Sequence, residues 1–213
     1  MARKTKEETL KDEAAKIRIL NSARQVFSEK GYDAASIAEI AKRANVNKAL
    51  PYYYFENKRK ILEELIRVKT EDTYTQRMNS IENTSSLKES IPEFYKRILN
   101  YNNERKELFK ILVVELLKDS PESMDIIKAL NPVFGGAIPE MQNHGVEIGD
   151  REDMMIKMFF LSFMPIVMFI TLNEKWSDFY GFDQAEVKEK FIKAFNDIYI
   201  KYAKDNFVAD NSI

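Results

Sequence analysis

The side chains best suited to chemistry stand together in NKALPYYYFENKRK, residues 47–60: Lys48, Tyr52 and Tyr53, then Lys58, Arg59 and Lys60. On a helix advancing about 100° per residue, Lys48, Ala49, Tyr52 and Tyr53 share one side, and Leu50, Pro51, Tyr54 and Phe55 the other. A face of one cation, one small residue and two phenols breaks no bonds. It suits a polyanion: ammonium and hydroxyl groups reach phosphates or base edges, rings pack on thymine methyls, and alanine permits close approach. Asn57 reads as a helix cap, so the three cations after it occupy a first turn, where the helix dipole disfavours positive charge. A bound phosphate would relieve that conflict, and Lys58 is the expected clamp. The plainer readings are a pair of half-exposed tyrosines and a solvated cationic turn costing about a few tenths of a kcal/mol.

Other chemistry is poorly supplied. The 213 residues include no Cys and a single His, His144, in the glycine-containing stretch NHGVEIGD. A thiolate nucleophile, a disulfide framework and a Cys/His zinc site are thereby excluded, and no metal or cofactor is expected. No convergent polar constellation of the kind an enzyme needs can be assembled. The N-terminus, MARKTKEETLKDEAAK, lacks an apolar signal region, and the most apolar run, Met158–Leu172, is 15 residues long and contains Pro165. That is short of the ~20 residues of a membrane span, so a cytoplasmic location without membrane contact is expected. Charge is uneven: residues 1–69 carry 16 Lys/Arg against 10 Asp/Glu, a net of +6, and residues 70–213 carry 17 against 24, a net of −7. A basic first third on an acidic remainder places the anion-meeting surface near the N-terminus.

The elements that must position these residues read as helices throughout, with strand-like alternation scarce. A first helix from about Thr9 to Lys30 carries the stripe Ile17, Leu20, Ala23, Phe27 and ends at Gly31. Ser36 with Glu39 is a capping box opening a short helix with Ile37, Ile40, Ala41 and Ala44 inward. Asn47 caps the next, so two short helices joined by a tight turn make a helix-turn-helix. Further helices are expected over 58–81, 86–102, 104–118, from Pro121 onward, 151–173 and 183–204, the last opened by Asp183 with Glu186. NPVFGGAIP should break the chain, WSDFYGF should link the last two helices, and Pro165 should kink the helix it interrupts. The domain boundary is drawn at 57/58, in the stretch 57–69 where the helix after residue 58 begins.

ILNSARQVFSEKGYDAASIAEIAKRANVNKALPYYYFENKRKILEELI, residues 19–66, resembles the N-terminal domain of TetR-type transcriptional regulators. The likeness rests on the alanine-containing first helix ending in Phe27, then EKGY, the Ser36-capped IAEIA, and KALPYYYF followed by ENK. It implies an all-α protein of about nine helices working as a homodimer, with a three-helix DNA-binding domain (1–57) and a ligand-binding and dimerisation domain (58–213). It implies that Ser36, Asn47, Lys48, Ala49, Tyr52, Tyr53 and Lys58 lie at the DNA surface, with Leu50 at a position often held by Thr. Pro51 departs from the usual Leu. By family layout the last two helices pack on their copies, giving Met158, Phe159, Val167, Phe191, Phe195, Ile198 and Tyr202 as dimer contacts. An effector pocket would draw on Tyr95, Tyr101, Phe109, Met124, Phe134, Met141, Phe160, Phe163 and Met164, although for each one alone a plain core role is the commoner outcome.

The function so implied is a ligand-responsive dimer, a repressor released from a palindromic operator by a small, largely apolar effector. Its two recognition helices would enter major grooves about 34–36 Å apart. The competing readings are a helical small-molecule carrier that ignores DNA and an adaptor whose apolar last helices bind another protein. A steep salt dependence of duplex affinity separates the first from the carrier, and a stable monomer in solution would favour the adaptor.

Overall fold

The computed structural model describes residues 6–82, 87–100, 103–143 and 148–207. Among these residues there are ten helices and no strand. They are α1 (Lys6–Lys30), α2 (Ile37–Arg43), α3 (Leu50–Phe55), α4 (Lys58–Glu82), α5 (Leu87–Leu99), α6 (Asn103–Leu116), α7 (Pro121–Leu130) and α8 (Ile138–Asn143). Two long helices follow, α9 (Arg151–Tyr180) and α10 (residues 184–207). Tyr101, His144 and the cap expected at Ser86 lie outside the described residues.

The chain divides into two compact units, residues 1–68 with 110–129, and residues 69–109 with 130–213. The division falls at 68/69, inside α4 and at the far end of the stretch 57–69 in which the boundary was expected, rather than at 57/58. The reason is burial: Ile61, Leu62, Leu65 and Ile66 of α4 lie inside the first unit with Ile19, Ala23, Phe27, Ile40 and Phe55. Ile111, Leu112 and Ile126 add to that unit's core. Ile17 is a second correction, half exposed rather than inward, with Ile19 buried instead. Lys16 Nζ to Glu64 Oε1, 2.7 Å, ties α1 to α4.

In the second unit an aromatic cluster joins α6, α9 and the segment before α8. Phe134 lies 5.3 Å from both Phe159 and Phe163, and Phe109 lies 6.0 Å from Phe163. NPVFGGAIP does break the helix, into a turn, a short 3₁₀ segment (Gly135–Ala137) and α8. A Cβ on Gly135 would sit 2.6 Å from Asn131 Oδ1, so a larger residue there requires the Asn131 side chain to move.

Helix α9 runs on to Tyr180, so WSDFY is helix rather than linker, and Gly181 ends it with φ 69°. Asp183 then caps α10, accepting from Glu186 N at 2.8 Å. By length and composition Arg151–Tyr180 could cross a membrane, which the shorter apolar run in the sequence did not suggest. Its polar residues Ser162, Asn173 and Ser177 are nonetheless buried within the unit, with Ser177 Oγ donating to Asn173 Oδ1 at 3.1 Å. At Pro165 the helix is not simply kinked. Lys157–Phe163 form a π-helical stretch in which Met164 N donates to Phe159 O, and Pro165 falls in the first turn of the α-helical part that follows. A second π-helical stretch, Asn196–Ile200, interrupts α10.

Several expected dimer contacts are corrected by burial. Met158, Val167 and Phe195 are enclosed within their own unit, and Phe159 packs between Phe134 and Phe160. Phe191 stacks on Phe169 at 3.9 Å. Only Ile198, 74% exposed, and Tyr202 stand out on the surface. The face that is apolar and open is instead Leu161, Met168, Leu172, Trp176, Phe179 and Phe182. Periodicity identified both helices as apolar but could not say which stripe the chain covers by itself.

Candidate nucleic-acid interface

The site is held by α1 and α2. Ser36 Oγ accepts from Glu39 N at 3.2 Å and starts α2. Arg43 grips the Glu29 carboxylate of α1 with both guanidinium nitrogens, at 2.5 and 2.7 Å. Asn45 takes φ 52° in the turn after α2, a left-handed conformation that asparagine tolerates better than most residues. Asn47 Oδ1 then accepts from Ala49 N at 2.9 Å, and Asn47 O from Leu50 N.

The helix proper begins at Leu50 with Ala49 at its cap position, two residues later than a cap at Asn47 suggested. That accounts for Pro51. It lies in the first turn, where backbone N–H groups have no helical partner, so the missing donor costs nothing and the ring is buried. The tyrosine run divides by face. Phe55 is 5% exposed, and Tyr54 is half-buried with its hydroxyl donating to Asp12 Oδ1 at 3.0 Å. Tyr52 and Tyr53 are 56% and 67% exposed. Asn47, Lys48 and Ala49 are exposed beside them, Leu50 is half-buried, and Ser36 is exposed at the start of α2. Lys48 has no side-chain partner among the described residues, so its charge is available to a ligand.

Lys58 is a correction. Its ammonium donates to the carbonyls of Tyr32 (2.8 Å), Asp33 (3.0 Å) and Ala35 (3.0 Å), and lies 4.5 Å from the Tyr32 ring centroid. An ammonium has three N–H groups, and all three are spent on the α1–α2 turn. Lys58 therefore braces that turn rather than clamping a phosphate. The other two cations of the turn also have protein partners. Arg59 Nε lies 3.4 Å from Glu63 and 3.5 Å from Asp125, and Lys60 Nζ lies 2.6 Å from Glu63. Lys118 completes the brace from below: it pairs with Asp33 at 2.6 Å and with the buried Glu115 at 2.7 Å. No run of charges in the sequence could have signalled this, because carbonyl oxygens carry no residue identity. Glu64, between Lys16 and Arg67, has its carboxyl held down to about 2, chiefly by the hydrogen bond from Arg67 and then by Lys16.

The effector residues do not form one site. Met124 belongs to the first unit and is 54% exposed, while Phe160 points outward at 60% exposure; both are corrected to surface residues. Phe109, Phe134 and Phe163 share the aromatic cluster, and Met141 is buried. Met164 is half-buried on α9. Tyr95 stands apart, its hydroxyl 2.6 Å from Ser162 Oγ and its ring 5.3 Å from Phe195. Among the described residues no group of His, Asp or Glu could hold a metal ion.

Residues 19–65 match the family described as bacterial regulatory proteins, tetR family. The chain is 38% identical over 91 residues to the transposon Tn10 TetC protein of Escherichia coli, covering 40% of this chain and 45% of TetC. It is 42% identical over 52 residues to IcaR of Staphylococcus aureus (strain Newman), the negative transcriptional regulator of the biofilm operon icaADBC, covering 24% of this chain and 28% of IcaR. The matched part thus spans less than half of either relative. Among solved structures, the fatty acid degradation regulator FadR of Bacillus halodurans superposes with a TM-score of 0.60 at 18% identity, covering 91% of this chain and 96% of FadR. The helix-turn-helix segment of this chain, residues 19–65, is thus of the tetR type by sequence, and the fold of the whole is one found in tetR-family transcriptional regulators.

Proposed function

We infer that this protein is a dimeric, ligand-responsive, DNA-binding transcriptional regulator acting in the cytoplasm. The observation that carries the reading is the exposed Lys48, Ala49, Tyr52 and Tyr53 face on the second helix of a tetR-type helix-turn-helix. Ser36 and Asn47 flank it as further phosphate or base contacts, with Leu50 at its edge. Repression is the favoured direction, in keeping with IcaR, a negative regulator. Dimerisation through α9 and α10 would cover the open face from Leu161 to Phe182 and bring two α3 helices to a palindromic operator. A membrane is the poorer cover for that face, since the buried polar side chains of α9 are satisfied by protein.

The effector is a small, largely apolar molecule received in the second unit. The aromatic cluster of Phe109, Phe134 and Phe163 supports this, and FadR, of similar fold, is a regulator of fatty acid degradation. The effector would release DNA by favouring a conformation in which the two α3 helices no longer match the groove spacing. Selecting duplexes from a random pool tests the whole reading. A single enriched palindrome, bound with a steep salt dependence, is expected. Absence of any enriched sequence would leave a carrier or an adaptor.

A further inference from the structure

The two π-helical stretches of the second unit meet at one side chain. Tyr95 of α5 has its hydroxyl 2.6 Å from Ser162, inside Lys157–Phe163, while its ring lies 5.3 Å from Phe195 and 5.8 Å from Tyr199, at and inside the stretch Asn196–Ile200. Ser162, Phe195 and Tyr199 are all buried. A second tie runs alongside: Lys157 Nζ, at the start of the first stretch, lies 5.6 Å from the ring of Tyr202, just past the second.

The two stretches have different causes. A π turn holds one residue more than an α turn and is seldom formed without a reason. In α9 the reason is covalent, because Pro165 follows at once and cannot donate. In α10 the sequence FNDIYIKYAK has no proline and no glycine. Nothing local requires the wide turn there, so packing holds it, and the ring packed against it from α5 is Tyr95.

We propose that Tyr95 is the latch of a register switch in α10, holding Asn196–Ile200 wide, and that withdrawing it lets the turn close to α-helical pairing. Closure takes up the surplus residue and turns Lys201–Phe207 by about 100° relative to Gln184–Phe195. Each residue after the turn then takes the angular place of its successor. Ala203, now buried, swings out, and Tyr202, now on the surface, takes its inward place. The outer face of α10 is thereby rewritten without unfolding. A ligand whose polar group claims the Tyr95 hydroxyl would drive closure by its differential affinity for the two forms. That last consequence rests on the effector reading above, whereas the switch itself does not.

The absence of cysteine makes the test clean. Ala203→Cys and Tyr202→Cys are made separately in the full chain, and thiol labelling rates are compared. The ratio of the rate at 203 to that at 202 should lie well below one in the parent and rise above one when Tyr95→Leu is added, with the helical circular dichroism retained. A ratio that stays below one, or both sites gaining rate together as in fraying, overturns the switch. If Tyr95→Leu does not fold, deletion of Asp197 serves instead. Removing the surplus residue should leave position 203 protected and the melting midpoint no lower. Exposure of 203 in that variant would also overturn the proposal.

Discussion

Replacing Lys58 by methionine separates two physical roles that the same lysine could play. In the structure its ammonium makes three hydrogen bonds to carbonyls, at 2.8, 3.0 and 3.0 Å, and faces the Tyr32 ring at 4.5 Å. A hydrogen bond to a charged group contributes about 1.5–3 kcal/mol net when its loss strands a buried partner. Here the Asp33 bond is exposed, and water can replace the ammonium at part of the turn, so most of that sum is recovered. About 2–3 kcal/mol should remain, including about 0.5 kcal/mol from the ring contact. At about 2–4 °C per kcal/mol for a chain of this size, the unfolding midpoint should drop by about 4–12 °C. Circular dichroism melts, with duplex titrations over a range of salt well below the midpoint, provide the assay. A bracing lysine predicts a lowered midpoint and an unchanged slope of log affinity against log salt. A phosphate clamp predicts the reverse: an intact midpoint and a slope shallower by about 0.9. That second pattern would refute the argument from the three carbonyls. Lys58→Arg sharpens the contrast, since it keeps the charge but cannot converge three donors on one point.

The remaining expectations concern the reading face, acid stability and the apolar helices. Lys48→Ala and Tyr52→Ala should each weaken operator binding by about tenfold or more, with melting changed by no more than about 0.5 kcal/mol, because both side chains are exposed; unchanged gel-shift affinity would remove α3 from the interface. Glu64 has its carboxyl lowered from 4.5 to about 2, so its contribution is complete above pH 4.5 and is lost as pH falls toward 2. Glu64→Gln should flatten that acid limb by about 1–2 kcal/mol, allowing for solvent screening, and an acid titration identical to the parent would show that Lys16 and Arg67 do not stabilise the carboxylate. Phe195→Ala should cost about 3 kcal/mol or more in a melt, as a buried ring does, whereas Ile198→Glu should spare folding but lower the mass seen by light scattering. The opposite assignment of the two effects would mean that α10 presents its other face to the partner.

Much of this protein was legible in its residues because the relevant signals are local. Ser36 with Glu39 and Asp183 with Glu186 began helices where the capping pattern placed them, since a side-chain oxygen three residues from a free N–H needs no distant neighbour. The division of Tyr52 and Tyr53 from Tyr54 and Phe55 followed from 100° per residue alone. One further signal was local: Gly181 followed by Asp183 marks the end of α9 and the start of α10, and WSDFY, with three aromatics among its five residues, belongs to the helix before it.

The amino-acid sequence by itself determined the helical class, the helix-turn-helix and the division of α3 into a buried and an exposed face, because capping, periodicity and turn chemistry act within one or two helical turns. Only the tertiary structure decided what Lys58 holds, which stripe of α9 and α10 stays open, and where the wide turns fall. Lys58 ends on carbonyls 23 to 26 residues away, and a carbonyl is common to every residue. Met158, Val167 and Phe195 are as apolar as Leu161, Leu172 and Phe179, yet the first three are enclosed and the others open. An apolar side chain specifies that it should be covered, and only the packing of distant helices specifies by what.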